Sequence, residues 1–264
     1  MKQKVTKKEI QEILLHYADR YNQLSFIEQD PISIPHQFHR KQDIEIIGFW
    51  VAMLSWGNRK TIINKGNELI TLFEQNPYDF IRFHSELDLR RFERFIHRTF
   101  NSTDALYFIS FFSHWYSEHD SLEEAFYQQE FSSHDNVESH LEHFHQVFFS
   151  LPDLSIRTKK HVSKPSTKSR CKRLAMFLRW MVRSDDKKVD FGLWKKIQTS
   201  QLILPLDVHV ERTARNLKLL ERKALDWQAV MELSSNCKKI VPNDPCLLDY
   251  ALFGMSIDQK FLIL

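Results

Sequence analysis

Apolar residues return every three or four positions through most of this chain, and nowhere do they alternate in the two-residue rhythm of a half-buried strand. Such spacing gathers apolar groups on one face of a helix, so the sequence is suited to helix-on-helix packing. The scarcity of helix breakers agrees. Only 5 Gly and 8 Pro occur in 264 residues, 42% of which are hydrophobic, which disfavours a loop-rich or disordered chain. The length suffices for one large domain or two small ones. The expected fold class is all-α.

Periodicity predicts a first helix over Lys7 to Asn22, then a connection punctuated by Pro31 and Pro35. "IEIIGFWVAML" (Ile44 to Leu54) is almost wholly apolar and reads as a buried helix. It stops at "SWGNRK", where Gly57 and Asn58 suit a turn, and helical spacing resumes from Thr61 to Gln75. Further helices are expected in "NPYDFIRF", "LDLRRFERFIHRTF", "TDALYFISFFSHWYSEH", Ser121 to Phe131 and His134 to Ser150. Beyond these come "CKRLAMFLRWMVR", with Leu174, Phe177, Leu178 and Met181 as its buried stripe, and a short helix in "FGLWKKI". Val208 to Leu219, "LDWQAVMELSSNCKKI" and "DPCLLDYALFGMSI" complete the series.

Several function classes lack their signatures. Cys171, Cys237 and Cys246 form no C-x-x-C pair, so neither a disulfide framework nor a zinc motif is expected, and a reducing, cytoplasmic location fits. Met1 to Glu9 is basic without the apolar stretch of a secretory signal, and no apolar run reaches 18 residues, so no membrane span is expected. His140, His143 and His145 lie near Glu138 and Glu142, but such spacing without a fixed motif is a weak metal signal. No cofactor or metal is expected, and the chain reads as a monomer.

Charge is uneven. From Arg157 to Lys188 twelve Lys and Arg face Asp185 and Asp186, so that segment carries +10 and the rest −7, giving the net +3. A basic stretch interleaved with Phe177 and Trp180 is expected to meet a polyanion; its alternative is a solvated loop.

"LPLDVHVERTARNLKLL" places Asp207 just ahead of a helix-period run. A carboxylate there accepts the free N–H groups of the first turn and is favoured by the helix dipole. The same placement fixes its orientation and favours its ionised form, which also suits catalysis.

This segment resembles the part of helix-hairpin-helix DNA glycosylases in which a proline-containing turn carries the catalytic aspartate into a helix. "CKRLAMFLRW" resembles the helix that opens with the catalytic lysine in the lyase members, with Lys172 in that place. "GFWVAMLSWGNRKTIINKGNELI" is similar to the early buried helix, polar turn and next helix of the same fold. Together with "DFGLWKKI" and "DPCLLDYALFG", these segments also resemble a bacterial family of unknown function, over about Asp43 to Ile257.

The resemblance implies a two-lobed helical fold, with residues 43–200 in one lobe and 1–42 plus 201–264 in the other. It implies DNA as partner and a nucleotide flipped from the duplex. Asp207 would stabilise positive charge on the sugar, and Lys172 as a neutral amine would attack C1′. Ser55, Trp56, Asn58 and Arg59 would contact the DNA gap, and Lys168, Arg170, Arg173 and Arg212 the backbone. Asp249 and Tyr250 would line the cleft, or Tyr250 would simply be core. The family's Gly-rich hairpin, which lets backbone N–H groups approach a phosphate, is replaced here by "KPSTKSRC", and 35 residues separate Lys172 from Asp207. The alternative expectation is a non-catalytic nucleic-acid or protein-binding module on the same fold.

Overall fold

A computed structural model describes residues 6–152 and 155–258; the extreme basic start and the last six residues of the expected second lobe lie outside them. The described residues are helical with no strand, apart from one isolated bridge between His97 and Phe100. The α-helices are α1 (Lys7–Tyr21), α2 (Leu24–Ile27), α3 (Lys41–Leu54), α4 (Arg59–Leu72), α5 (Pro77–Phe83), α6 (Glu86–Leu89) and α7 (Ser102–Glu118). They continue with α8 (Glu123–Phe126), α9 (Glu138–Phe148), α10 (Lys172–Val182), α11 (Val208–Asn216), α12 (Trp227–Ile240) and α13 (Leu247–Ile257). Among them no helix is long and apolar enough to cross a membrane.

The chain divides into two compact units, the first of residues 1–26, 132–138 and 165–264, the second of 27–131 and 139–164. Beside the expected boundaries at 43 and 200, residues 165–200 thus fall with the C-terminal part and 27–42 with the central part.

The second unit is built around α3, whose residues Ile44 to Leu54 are all buried. Phe49 and Trp50 sit back to back in a crowd of rings: Phe108, Phe112, Phe144 and Phe148 around Phe49, and Phe73, Phe92, Phe95, Phe100 and Phe108 around Trp50. Most of these pairs meet edge-to-face or tilted, the arrangements the ring quadrupole favours. A charge is buried on the same helix. Glu45 is fully inaccessible and accepts bonds from Tyr116 Oη (2.8 Å), Ser121 Oγ (2.7 Å) and the Leu122 N–H (3.1 Å). Burial and the Glu45 charge push the Tyr116 phenol well up.

The expected helix over Leu87 to Phe100 is only partly formed. It runs to Phe92, after which His97 and Phe100 exchange backbone bonds (2.8 and 2.9 Å) around Arg98 at φ +57°. The turn brings Phe95 and Phe100 ring to ring and both against Trp50, so tertiary packing overrides the local helix pattern. "FGLWKKI" forms no helix at all. Its N–H groups at Phe191 and Trp194 instead donate to the carbonyls of Trp180 (2.8 Å) and Met181 (2.9 Å), filling the vacant acceptors at the end of α10. Helices expected over Ser121 to Phe131 and His134 to Ser150 shorten to α8, a 3-10 turn and α9.

In the first unit α1 packs along α13, and α11 packs on the same helix. Gly254 makes the first of these contacts possible. A Cβ there would lie 2.2, 2.5 and 2.6 Å from three atoms of the Tyr21 ring. The Tyr21 hydroxyl donates to Asp258 (2.5 Å), and Arg20 pairs with the same carboxylate (3.0 Å). Gly254→Ala gains about 1 kcal/mol of helix propensity but overpacks a rigid ring, at a cost of about 1–3 kcal/mol. A lower denaturation midpoint is expected; an unchanged or higher one would show that α1 yields freely.

Candidate functional site

The head of α10 and the head of α11 are tied together in the first unit. Ahead of α10 the chain passes through two left-handed residues that are not glycine, Lys168 (φ +59°) and Cys171 (φ +46°). Local bonds hold this hairpin: the Lys168 N–H donates to the Pro165 carbonyl (2.8 Å) and the Cys171 N–H to Ser169 Oγ (3.2 Å). The Lys168 carbonyl in turn accepts from the Trp227 N–H (3.2 Å), anchoring the hairpin to α12. Arg170 Nη1 donates to the Leu206 carbonyl (3.3 Å), so the residue two before Lys172 clasps the residue just before Asp207.

Asp207 caps α11 as its sequence position suggests. It has extended backbone (φ −107°, ψ −174°), and its Oδ1 accepts from the His209 and Val210 N–H groups, both at 2.9 Å. Lys172 occupies the first position of α10 and, like Asp207, is half-buried.

Asp249 stands on the first turn of α13 and is 6% exposed. Its carboxyl is ion-paired with Arg179 Nη1 and feels the charges of both Asp207 and Lys172. Burial first, then the Asp207 charge, push it up to about 6 against the pull of Arg179 and Lys172. The heads of α10 and α11 thus adjoin through Arg170 and Leu206, and the charges of Lys172 and Asp207 act on Asp249.

Behind Asp249 runs a buried ion network that sequence reasoning missed. Arg179 Nε meets Asp190 (3.2 Å); Arg183 meets Asp190 (3.2 Å), Asp244 (2.8 Å) and Asp185 (2.6 Å); the Tyr250 hydroxyl donates to Asp190 (2.7 Å). Tyr250 is buried beneath both guanidinium groups, at 4.5 and 5.3 Å from its ring centroid. Burial opposes the charge of Arg183, but Asp190 and Asp244 outweigh it and raise that guanidinium further. The available signal was the i, i+4 spacing of Arg179 and Arg183 on a helix whose neighbours Leu178, Trp180 and Met181 are all core.

This network corrects the picture of one +10 surface. Arg179 and Arg183 are buried and neutralised by aspartates. Arg157 pairs with the buried Asp104 (2.8 Å), Lys164 lies 3.8 Å from Glu142, and Lys187 lies 3.0 Å from Asp19. The run is also divided, residues 157–164 belonging to the second unit and 165–188 to the first. Four of the cations stand at the head of α10: Lys168 exposed, Arg170, Lys172 and Arg173 half-buried. Burial brings Arg173 down to about 10.

Ser55, Trp56, Asn58 and Arg59 belong to the second unit. Ser55 is buried and bonds back to the Val51 carbonyl (2.7 Å), while Asn58 caps α4 by accepting from the Thr61 N–H (3.2 Å). Trp56 lies edge-on to His97 with the Arg98 guanidinium 4.8 Å over its ring, and Arg59 is exposed. Arg212 is exposed on α11. His140 is buried against Phe131, and His143 meets the same ring. Among the described residues no group of three or more His, Cys, Asp or Glu is arranged to hold a metal ion.

A family model described as "protein of unknown function (DUF2400)" matches residues 30–258, and the chain belongs to that family. No curated protein and no solved structure matches it.

Two outcomes follow from the site's geometry. Asp207→Ala removes both cap bonds and is expected to cost about 1 kcal/mol in denaturant unfolding, whereas Asp207→Asn, an equally good cap, should cost a few tenths at most. Asp249 has a folded-state affinity for protons above its unfolded one, so its contribution to stability is full below about pH 4 and lost as pH rises through about 6. Between pH 4 and 7 the wild type should therefore lose roughly 3 kcal/mol relative to Asp249→Asn. Parallel stability curves for the two proteins would refute this.

Proposed function

We propose that this protein acts on DNA as a base-excision glycosylase, with Asp207 as the catalytic carboxylate and Lys172 as an amine nucleophile that also gives it lyase activity. The observation that carries this reading is the bond from Arg170, two residues before Lys172, to the carbonyl of Leu206, next to Asp207, which ties together the two helix heads that bear these side chains. An enzyme that breaks an N-glycosidic bond needs a fixed anion beside the sugar as positive charge builds at C1′. Two backbone N–H groups orient Asp207 for that task. The departing base keeps the electron pair of the bond, and the Lys172 amine supplies the new bond to C1′ and releases a proton. The C1′–O4′ bond then opens, O4′ taking the electron pair and a proton, and the Schiff base so formed permits strand cleavage on the 3′ side.

The hairpin ahead of α10 supports the DNA partner. Its left-handed backbone at Lys168 and Cys171 is a conformation glycine adopts readily, here kept by other residues. The exposed Lys168 and the neighbouring Arg170 and Arg173 offer charge where a glycine-rich hairpin would offer N–H groups. That exchange is also what favours the second reading, a nucleic-acid-binding module without catalysis.

A panel of duplexes, each carrying one damaged base, separates the two readings. Wild type should release a base and nick the strand; Lys172→Gln should lose nicking, and Asp207→Asn should lose base release by 100-fold or more while still binding. Lys168→Glu should weaken binding to all duplexes alike and flatten its salt dependence by about one unit of slope. If no lesion is released but salt-dependent binding persists, the module reading replaces the enzyme.

A further inference from the structure

We propose that Arg98, held over Trp56 at the tip of a turn in the second unit, is a phosphate-recognising residue that binds the backbone of a DNA strand. The inference rests on the reading of DNA as the partner and deepens it; it draws on no part of the excision chemistry.

The turn is anchored from below. Buried His97 and Phe100 exchange backbone bonds (2.8 and 2.9 Å), and the Phe100 ring packs on Trp50, so the turn stands on the core. At its exposed tip Arg98 takes φ +57°, a left-handed conformation that disfavours a side chain. Its guanidinium lies 4.8 Å over the Trp56 ring. Gly57, at φ +105°, leaves the space it occupies: a Cβ there would stand 2.4 Å from Arg98 Nη1. Ring and glycine thus place a side chain that is otherwise among the most mobile.

What the guanidinium lacks is an anion. Arg20, Arg40, Arg91, Arg179 and Arg183 also lie over rings, and each holds a carboxylate as well. Among the described residues Arg98 has no such partner. Its fork of N–H donors fits two oxygens of one phosphate. The surroundings carry the same sign. Residues 55–60 and 94–100, which meet where Trp56 touches His97, hold Arg59, Lys60, Arg94 and Arg98, all exposed, and no acid. Such a set suits the closely spaced charges of a nucleic-acid strand. Ser55 and Asn58, expected at a DNA gap, are engaged inside the protein by the Val51 carbonyl and the Thr61 N–H. The outward donor comes instead from Arg98, in another part of the chain. A left-handed arginine where glycine would sit without strain is accounted for by a ligand for its side chain.

The intact protein is titrated with an undamaged duplex of one sequence. Arg98→Gly removes the guanidinium and relieves the backbone, so its denaturation midpoint should match or exceed that of the wild type while DNA affinity falls about tenfold. A lower midpoint would assign the side chain to the fold instead. Arg98→Gln should weaken binding alike, and Arg98→Lys should restore it only in part, since an ammonium keeps the charge without the fork. Arg94→Gln, which takes away a nearby exposed charge, should cost much less; a loss in Arg98→Gly no greater than in Arg94→Gln overturns the proposal. Modification of arginines by a dicarbonyl reagent, mapped by peptide mass, locates the contact: duplex should shield Arg98, and polyglutamate should not. Equal reactivity with and without duplex, or shielding by polyglutamate alone, rejects the phosphate assignment. Lys168→Glu keeps the two readings apart. If it weakens binding and Arg98→Gly does not, DNA remains the partner and this subsite fails; if the wild type binds no duplex, both fall.

Discussion

A guanidinium taken out of water costs several kcal/mol unless anions meet it, and the first unit buries two, on the last turn of α10 and at its C-cap. Arg179 and Arg183 reach the segment after their own helix through Asp190, the loop before α13 through Asp244, and α13 itself through Asp249. Tyr250 closes the arrangement by covering both cations and bonding Asp190. α10 therefore cannot rotate or slide without leaving a charge unpaired. Lys172, Asp249 and, through Arg170, the turn before Asp207 inherit that fixed register.

The second unit solves its packing differently. There the apolar side is a mass of phenylalanine rings around Phe49 and Trp50, and the polar side is led by two wholly inaccessible carboxylates, Glu45 and Asp104. Asp104 caps α7 while holding Arg157 (2.8 Å), His161 (3.2 Å) and the Thr158 hydroxyl (2.8 Å). Burial acts to raise it, but bonds from His161, the Asn101 N–H and Thr158 outweigh that and hold its carboxyl low. Arg157, which looks like part of a polyanion site in one dimension, is here the structural partner of an acid 53 residues away.

Helix positions were legible because they rest on local rules. The three-to-four spacing of α3, α10 and α11 and the cap at Asp207 need only neighbours in the chain. One expected helix broke off and another never formed where distant partners took over: Trp50 drew in the rings of Phe95 and Phe100, and the end of α10 took the N–H groups of Phe191 and Trp194. At the site, Asp207 and Lys172 stood out by position, and Asp249 by its place in "LLDYALFG". The Arg–Asp network did not, because a buried arginine and a solvated one look alike until the partner's location is known. The same blindness inflated the +10 segment, whose charges are split between two units and in part paired internally.

The pairing of α1 with α13 has a consequence for how the chain acquires its shape. Leu14, Tyr17, Ala18 and Tyr21 form the buried face of α1, and Gly254 is what lets Tyr21 seat. That seat lies more than two hundred residues downstream, so its closure carries the entropy of a very long loop. The second unit has no such dependence, since all its residues precede Pro165. During synthesis it can consolidate its ring-filled core while α1 waits with an apolar face uncovered. The nascent first unit becomes whole only when its last helix leaves the ribosome.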